Sequence, residues 1–165
     1  MNSKSSPGAA SARQRRRLGV EIKDSLRELS NQLSLLNHQV GGHLGLKDVD
    51  FDCLDVIVRH GPLTPSALAR HAGLHPATVT GILDRLQRGG WVVRERDPEA
   101  ADRRAVTVRA LPERQSEVYG LFRGMNSAMD ELCDGYSEDE LRLLARFLKD
   151  TAQAGRTAAD ALAGE

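Results

Sequence analysis

Apolar positions recur along this chain with two different periods, and the places where the period changes divide it. From Leu18 onward, Ile22, Leu26, Leu29, Leu33, Leu36 and Val40 step by four and three residues, which lines them along one stripe of a helix. Gly41 and Gly42 predict its end. A second helix is expected after Asp48, read as its N-cap, with Phe51, Leu54, Ile57 and Val58 facing inward and a stop near His60-Gly61-Pro62. In the following TPSALARHAGLHPATVTGILDRLQRGG, Thr64 reads as an N-cap and Pro65 as the first helical residue, where a missing N–H costs nothing. Leu68 and Ala69 form the inner face of a short helix. Gly73 supplies a left-handed residue that reverses the chain, and Pro76 restarts a helix striped by Val79, Ile82, Leu83 and Leu86. Two short helices about a glycine turn make a helix-turn-helix pattern.

The period then drops to two. Gly89-Gly90 releases the chain into Trp91 to Arg96, rich in β-branched and aromatic residues, and after the polar loop Asp97 to Arg103, Val106 and Val108 alternate with Ala105, Thr107 and Arg109 as a half-buried return strand does. A helix-turn-helix followed by a hairpin predicts a winged helix. Helical spacing returns with Val118, Leu121, Phe122, Met125, Met129 and Leu132; Gly135 interrupts it; Ser137 to Glu140 form a capping box before Leu141, Leu144, Phe147 and Leu148. The fold class is therefore mainly α with a small β-hairpin: a winged helix-turn-helix flanked by long dimerisation helices. Leu54, Ile57, Leu68, Val79, Leu83, Leu86, Trp91 and Val108 suffice for a small core, which leaves the stripes on the first and last helices uncovered. The same helices of a second copy would cover them symmetrically, so a homodimer is expected, with an intramolecular bundle as the competing solution. The segments are a disordered basic arm at 1–17, a dimerisation helix at 18–45, the winged helix at 46–111 and C-terminal dimerisation helices at 112–162.

Charge changes this picture because it is unevenly spread. The 165 residues carry no net charge, yet segments 1–17, 18–58, 59–109 and 110–165 carry +5, −4, +4 and −5. The basic middle coincides with the winged helix, and five arginines fall on its hairpin. Double-stranded DNA is the partner such a surface suits, with a solvated face as the bland reading. Facing away from the apolar stripe of the second helix of the motif are His75, Ala77, Thr78, Thr80, Gly81, Asp84, Arg85 and Arg88. Thr78 and Thr80 are short enough to bond phosphate or base, Gly81 permits close approach, and Arg85 and Arg88 reach phosphates. Thr64 and Ser66 begin the preceding helix, where backbone N–H groups favour phosphate. At the hairpin tip, Arg103 and Arg104 are placed for the minor groove, with Asp97 or Asp102 as internal partners. Arg94, Arg96 and Arg109 on the strand shafts are read as binding phosphate or solvent.

Other chemistries find little support. No run of about 18 apolar residues predicts a membrane span, and no apolar leader opens the chain, so a cytoplasmic protein without membrane partners is expected. Cys53 and Cys133 form no disulfide framework or zinc pattern; both are expected to be buried, unreactive thiols. His38 and His43 make a weak ligand pair, so no metal and no required cofactor are assigned. Phosphate loops, HExxH and nucleophile elbows are missing, and the chain is not read as an enzyme.

The segment LDVIVRHGPLTPSALARHAGLHPATVTGILDRLQRGGWVVRERDPEAADRRAVTVRAL resembles the MarR family of bacterial transcriptional regulators over about residues 50–111. Its most specific parts are TVTGILDRLQRGGW and DP…DRR before a strand. DPEAADRR is longer than the common DPxDRR, and LPERQ replaces the usual Leu-Thr-x-x-Gly. The resemblance implies a homodimer joined through N- and C-terminal helices that binds a pseudo-palindromic operator, with Thr78, Thr80 and Arg85 on the recognition helix and Arg103 and Arg104 on the wing. It also implies a ligand-responsive repressor, its small-molecule effector unidentified, held in a cleft between the dimer helices and the winged helix. A winged helix used for protein–protein contact is the alternative.

Overall fold

The computed structural model describes residues 7–96 and 106–163. Its elements run α1 (Pro7–His43), α2 (Asp48–His60), α3 (Pro65–Ala72), α4 (Pro76–Arg88), β1 (Val92–Arg96), β2 (Val106–Ala110), α5 (Pro112–Asp134) and α6 (Glu138–Ala163). The chain divides into two compact units, Met1–Val118 and Tyr119–Glu165.

The first unit corrects three boundaries. Residues 7–17, expected to be disordered, are helical and continue into the predicted stripe, so α1 is 37 residues long. Apolar periodicity is absent there, but Ala, Arg and Gln are strong helix formers, and Pro7 stands at the start, where proline is tolerated. Gly41 and Gly42 do not end α1. It runs to His43 and closes on Gly45, at φ +67, with Leu46 N donating to Gly41 O and Gly45 N to Gly42 O, the paired bonds of a Schellman cap. Gly41 is buried against α2, but a Cβ there would meet only ordinary contacts, 3.6 Å from Phe51 Cβ and 3.5 Å from Leu46 O. Nor is Asp48 the N-cap of α2. Lys47 holds that position without a side-chain bond, while Asp48 begins the helix and accepts from His38.

The winged helix forms as its pattern predicts. Thr64 caps α3, its Oγ1 accepting from Ala67 N at 3.2 Å, and Gly73 takes the left-handed conformation at φ 64. The chain leaves α4 through Gly90, at φ +71, where Trp91 N donates to Leu86 O and Gly90 N to Gln87 O. β1 and β2 pair antiparallel from Val92 opposite Ala110 to Arg96 opposite Val106. Leu63, just before α3, exchanges two backbone bonds with Val108 and ties the hairpin to the helix-turn-helix. All eight expected core residues are buried, joined by Cys53, Ala69, Ile82, Val92 and Ala110.

By contrast, the stripe of α1 is open over much of its length: Ile22, Leu29 and Leu33 are exposed, and within the stripe only Val40 is buried. In the second unit the capping box forms, with Glu140 Oε2 accepting from Ser137 N at 2.8 Å and from its Oγ at 2.7 Å. These bonds hold the Glu140 carboxyl below the usual range. Leu132, Leu144, Phe147 and Leu148 are exposed, as is Cys133, which was expected to be buried; it lies on the last turn of α5, with exposed neighbours on both sides. Among the described residues no helix is long and apolar enough to cross a membrane.

Candidate nucleic-acid interface

One face of α4 is anchored and the other is free. Val79, Ile82, Leu83 and Leu86 are at most 1% exposed. Burying four such side chains contributes about 1.5–3 kcal/mol each before conformational entropy is counted, which fixes the rotation of the helix. The opposite face presents Ala77, Thr78, Thr80, Asp84 and Arg88 to solvent, with Gly81 and Arg85 half-buried between them. The sequence-selected residues of this helix thus share one side.

The helix N-termini favour an anion. Neither α3 nor α4 has an acidic residue in its first turn, whereas α2 and α6 do. The positive ends of their backbone dipoles are therefore not offset by side chains. His75 caps α4, its Nδ1 accepting from Ala77 N at 3.3 Å. Thr64 and Ser66 pair through their hydroxyls at 3.1 Å at the start of α3. Thr80 Oγ1 donates back to Pro76 O at 3.3 Å.

The arginines are less free than the charge pattern implies. Arg85 is engaged by Asp50, whose Oδ2 accepts from Nε at 2.8 Å and Oδ1 from Nη2 at 2.6 Å. Asp50 is buried, and its hydrogen bonds hold the Arg85 guanidinium more firmly protonated. On the hairpin shaft, Arg94 pairs with Asp84 of α4 at 2.7 Å, and Arg109 forks onto Glu95, its near neighbour on the opposite strand, lowering the Glu95 carboxyl. Their place on the strand shafts predicts that both bind phosphate or solvent; intramolecular carboxylates hold them instead. Arg88 donates from Nε to Asp84 O at 3.2 Å, and Arg96 is exposed at the end of β1. Asp97, Glu99, Asp102, Arg103 and Arg104 lie outside the described residues. Behind α4, the Arg114 guanidinium lies 3.6 Å over the Trp91 ring and donates to Gly89 O at 3.3 Å, clasping the end of the helix.

A concavity lies between α1 and α2. It is a cavity of about 220 Å³ lined by Ser34, Asn37, His38, Asp48, Phe51 and Asp52. His38 Nδ1 stands 2.9 and 3.0 Å from the two Asp48 oxygens. Burial, then Asp48 and Asp55, push the Asp52 carboxyl upward. His43 is exposed, and among the described residues no three His, Cys, Asp or Glu gather as metal ligands. Cys53 is fully buried; its thiol is pushed up to about 11, first by burial and then by Asp52 and Asp50.

Asp50 was missed by sequence reasoning, although a signal existed. It steps by four and three to Leu54 and Ile57, so it occupies the inner stripe of α2, and a carboxylate there calls for a cation.

Comparison with known proteins agrees with this geometry. The MarR family model matches residues 44–105. The chain is 34% identical over 122 residues to the uncharacterized HTH-type transcriptional regulator YcgE of Bacillus subtilis (strain 168), covering 74% of this chain and 78% of that one. It is 27% identical to the HTH-type transcriptional repressor YetL of the same organism, covering 79% of this chain and 78% of that one. Among solved structures, Streptococcus pneumoniae FabT in complex with DNA superposes with a TM-score of 0.60 at 22% identity, over 84% of this chain and 97% of that one.

Proposed function

Since the chain belongs to the MarR family of transcriptional regulators, we propose that it acts as a sequence-specific repressor, binding a pseudo-palindromic operator as a homodimer. The observation that carries this reading is the outer face of α4: short hydroxyls at Thr78 and Thr80 and a glycine at 81, on a helix whose first turn has no carboxylate and whose inner face is fully buried. A helix held this way enters a major groove with its N-terminal turn at the bases, while Thr64, Ser66, His75 and Ala77 meet the backbone alongside. Arg88 reaches phosphate one turn further on. The wing arginines Arg103 and Arg104 enter the adjacent minor groove, where the potential is most negative. FabT was solved on DNA and YetL is a repressor, which supports the reading as a DNA-binding repressor.

Dimerisation follows from the stripes that solvent cannot favour: Ile22, Leu29 and Leu33 on α1, and Leu144, Phe147 and Leu148 on α6. Apolar stripes of this length are characteristic of interfaces. Two copies joined there hold two recognition helices at a fixed spacing, and occupancy of the promoter represses by exclusion. A small effector that binds one spacing better than the other releases the operator; the cavity beside His38 and Asp48 is where we place it.

Selection of bound sites from a random duplex library tests the reading. It should enrich an inverted repeat with half-sites about one helical turn apart, bound with an affinity that falls steeply as salt rises. Recovery of no motif, with weak binding insensitive to salt, overturns it in favour of a protein-contact module.

A further inference from the structure

Asp50 is a carboxylate inside the core, and its side chain is 4% exposed. It grips Arg85 through Nε and Nη2, a fork-on-fork pairing that fixes the guanidinium plane and occupies two of its three nitrogens. The third, Nη1, has no hydrogen bond to any other described residue. It lies beside Gly81, where an added Cβ would stand 3.6 Å away. A longer side chain at 81 would lie across Nη1; glycine leaves it open toward the outer face of α4.

The pairing alters what Arg85 can recognise. A free arginine offers a full positive charge and two parallel donors, which suits phosphate or the O6 and N7 of guanine. Here the charge is offset by Asp50, so a phosphate gains little and would approach a buried carboxylate. A neutral acceptor on a base edge needs only a well-aimed N–H. We propose that Asp50 is a positioning residue that turns Arg85 into a fixed, single-nitrogen reader of a base edge, through the opening that Gly81 leaves. This rests on the DNA reading above and names the residue that sets specificity within it.

The test compares the full-length protein with Asp50→Asn and Arg85→Lys on the selected duplex and on duplexes changed one base pair at a time, at several salt concentrations, with melting temperatures measured alongside. Arg85→Lys keeps the charge and a bond to Asp50 but has no second nitrogen to spare. It should lose about tenfold in preference at one position per half-site, with other positions and the melting temperature near the parent's. Asp50→Asn should lose preference at that same position while its salt slope steepens by about 0.9 for each guanidinium that turns to phosphate. A purely structural tie between α2 and α4 would instead weaken binding to all duplexes equally, in step with the melting temperature. If Asp50→Asn does not fold, Arg85→Lys alone decides. A parent that selects a duplex, with Arg85→Lys reading every position as the parent does, overturns this inference and leaves the DNA reading intact. A parent that selects none overturns both.

Discussion

Replacing Gly81 with alanine should make the protein more stable and a poorer DNA binder. Gly81 lies inside α4, where glycine is less favourable than alanine by about 0.8–1.0 kcal/mol because its backbone loses more freedom on folding. Among the described residues the new methyl would meet only Arg85 Nη1, at 3.6 Å, an ordinary contact that asks nothing of the surrounding packing. The gain in stability should therefore be realised almost in full, raising the melting temperature by about 2–4 °C for a chain of this size. On the outer face the same methyl occupies the space through which the proposed reading brings the helix to the groove, beside Arg85 Nη1, which has no hydrogen bond to another described residue. A charge-assisted hydrogen bond is worth about 1.5–3 kcal/mol, so its partial loss should weaken binding about tenfold. Thermal melts followed by circular dichroism give the first quantity, and titration of a labelled operator duplex gives the second. A higher melting temperature with unchanged affinity would mean that this face of α4 does not lie in the groove. A lower melting temperature would mean that the site is more crowded than the geometry allows.

Leu83 is buried among α4's fellow core residues, so Leu83→Ala should cost about 2–5 kcal/mol in urea unfolding, while the exposed Leu143→Ala stays close to the parent. Thr64→Ala should cost about 1 kcal/mol, and Thr64→Ser should restore it, because the hydroxyl that caps Ala67 N is what is lost. Exposed Cys133 should react with a thiol reagent at pH 8 well before Cys53 does. Because burial raises the Cys53 thiol to about 11, the folded state holds its proton after the unfolded chain has released it. Stability should fall as pH climbs from the ordinary thiol range toward 11, and Cys53→Ala should flatten that fall; an unchanged slope would assign it to other groups.

What the sequence reveals and what it conceals divide along the range of the forces involved. Thr64, Gly73, Pro76 and the stripe Val79, Ile82, Leu83 and Leu86 act within a few residues, and each took the conformation its chemistry favours. Gly41 and Gly42 misled because a helix can run through glycines when a later residue supplies the cap, and here Gly45 takes the left-handed conformation that ends α1. The start of α1 was hidden for another reason: a helix of Ala, Arg and Gln rests on propensity and carries no apolar period to detect. The candidate interface was legible as a face but not as a circuit. Spacing identified Thr78, Thr80, Gly81 and Arg85 together, yet the bonds that hold Arg85, Arg94 and Arg109 join residues 10 to 35 positions apart. Such pairings depend on which helix packs against which, and periodicity does not encode that. The wing tip, with Arg103 and Arg104, lies outside the described residues, and its role is carried by the proposal alone.

The central claim is that two copies of this chain together hold two recognition helices against one duplex. Sedimentation of the protein with its selected duplex at micromolar concentration measures this directly, because each 18.0 kDa chain that joins adds a known mass. The account predicts two chains on each duplex, already paired before DNA is added. A single chain per duplex, or a duplex that sediments alone at low salt, would contradict it.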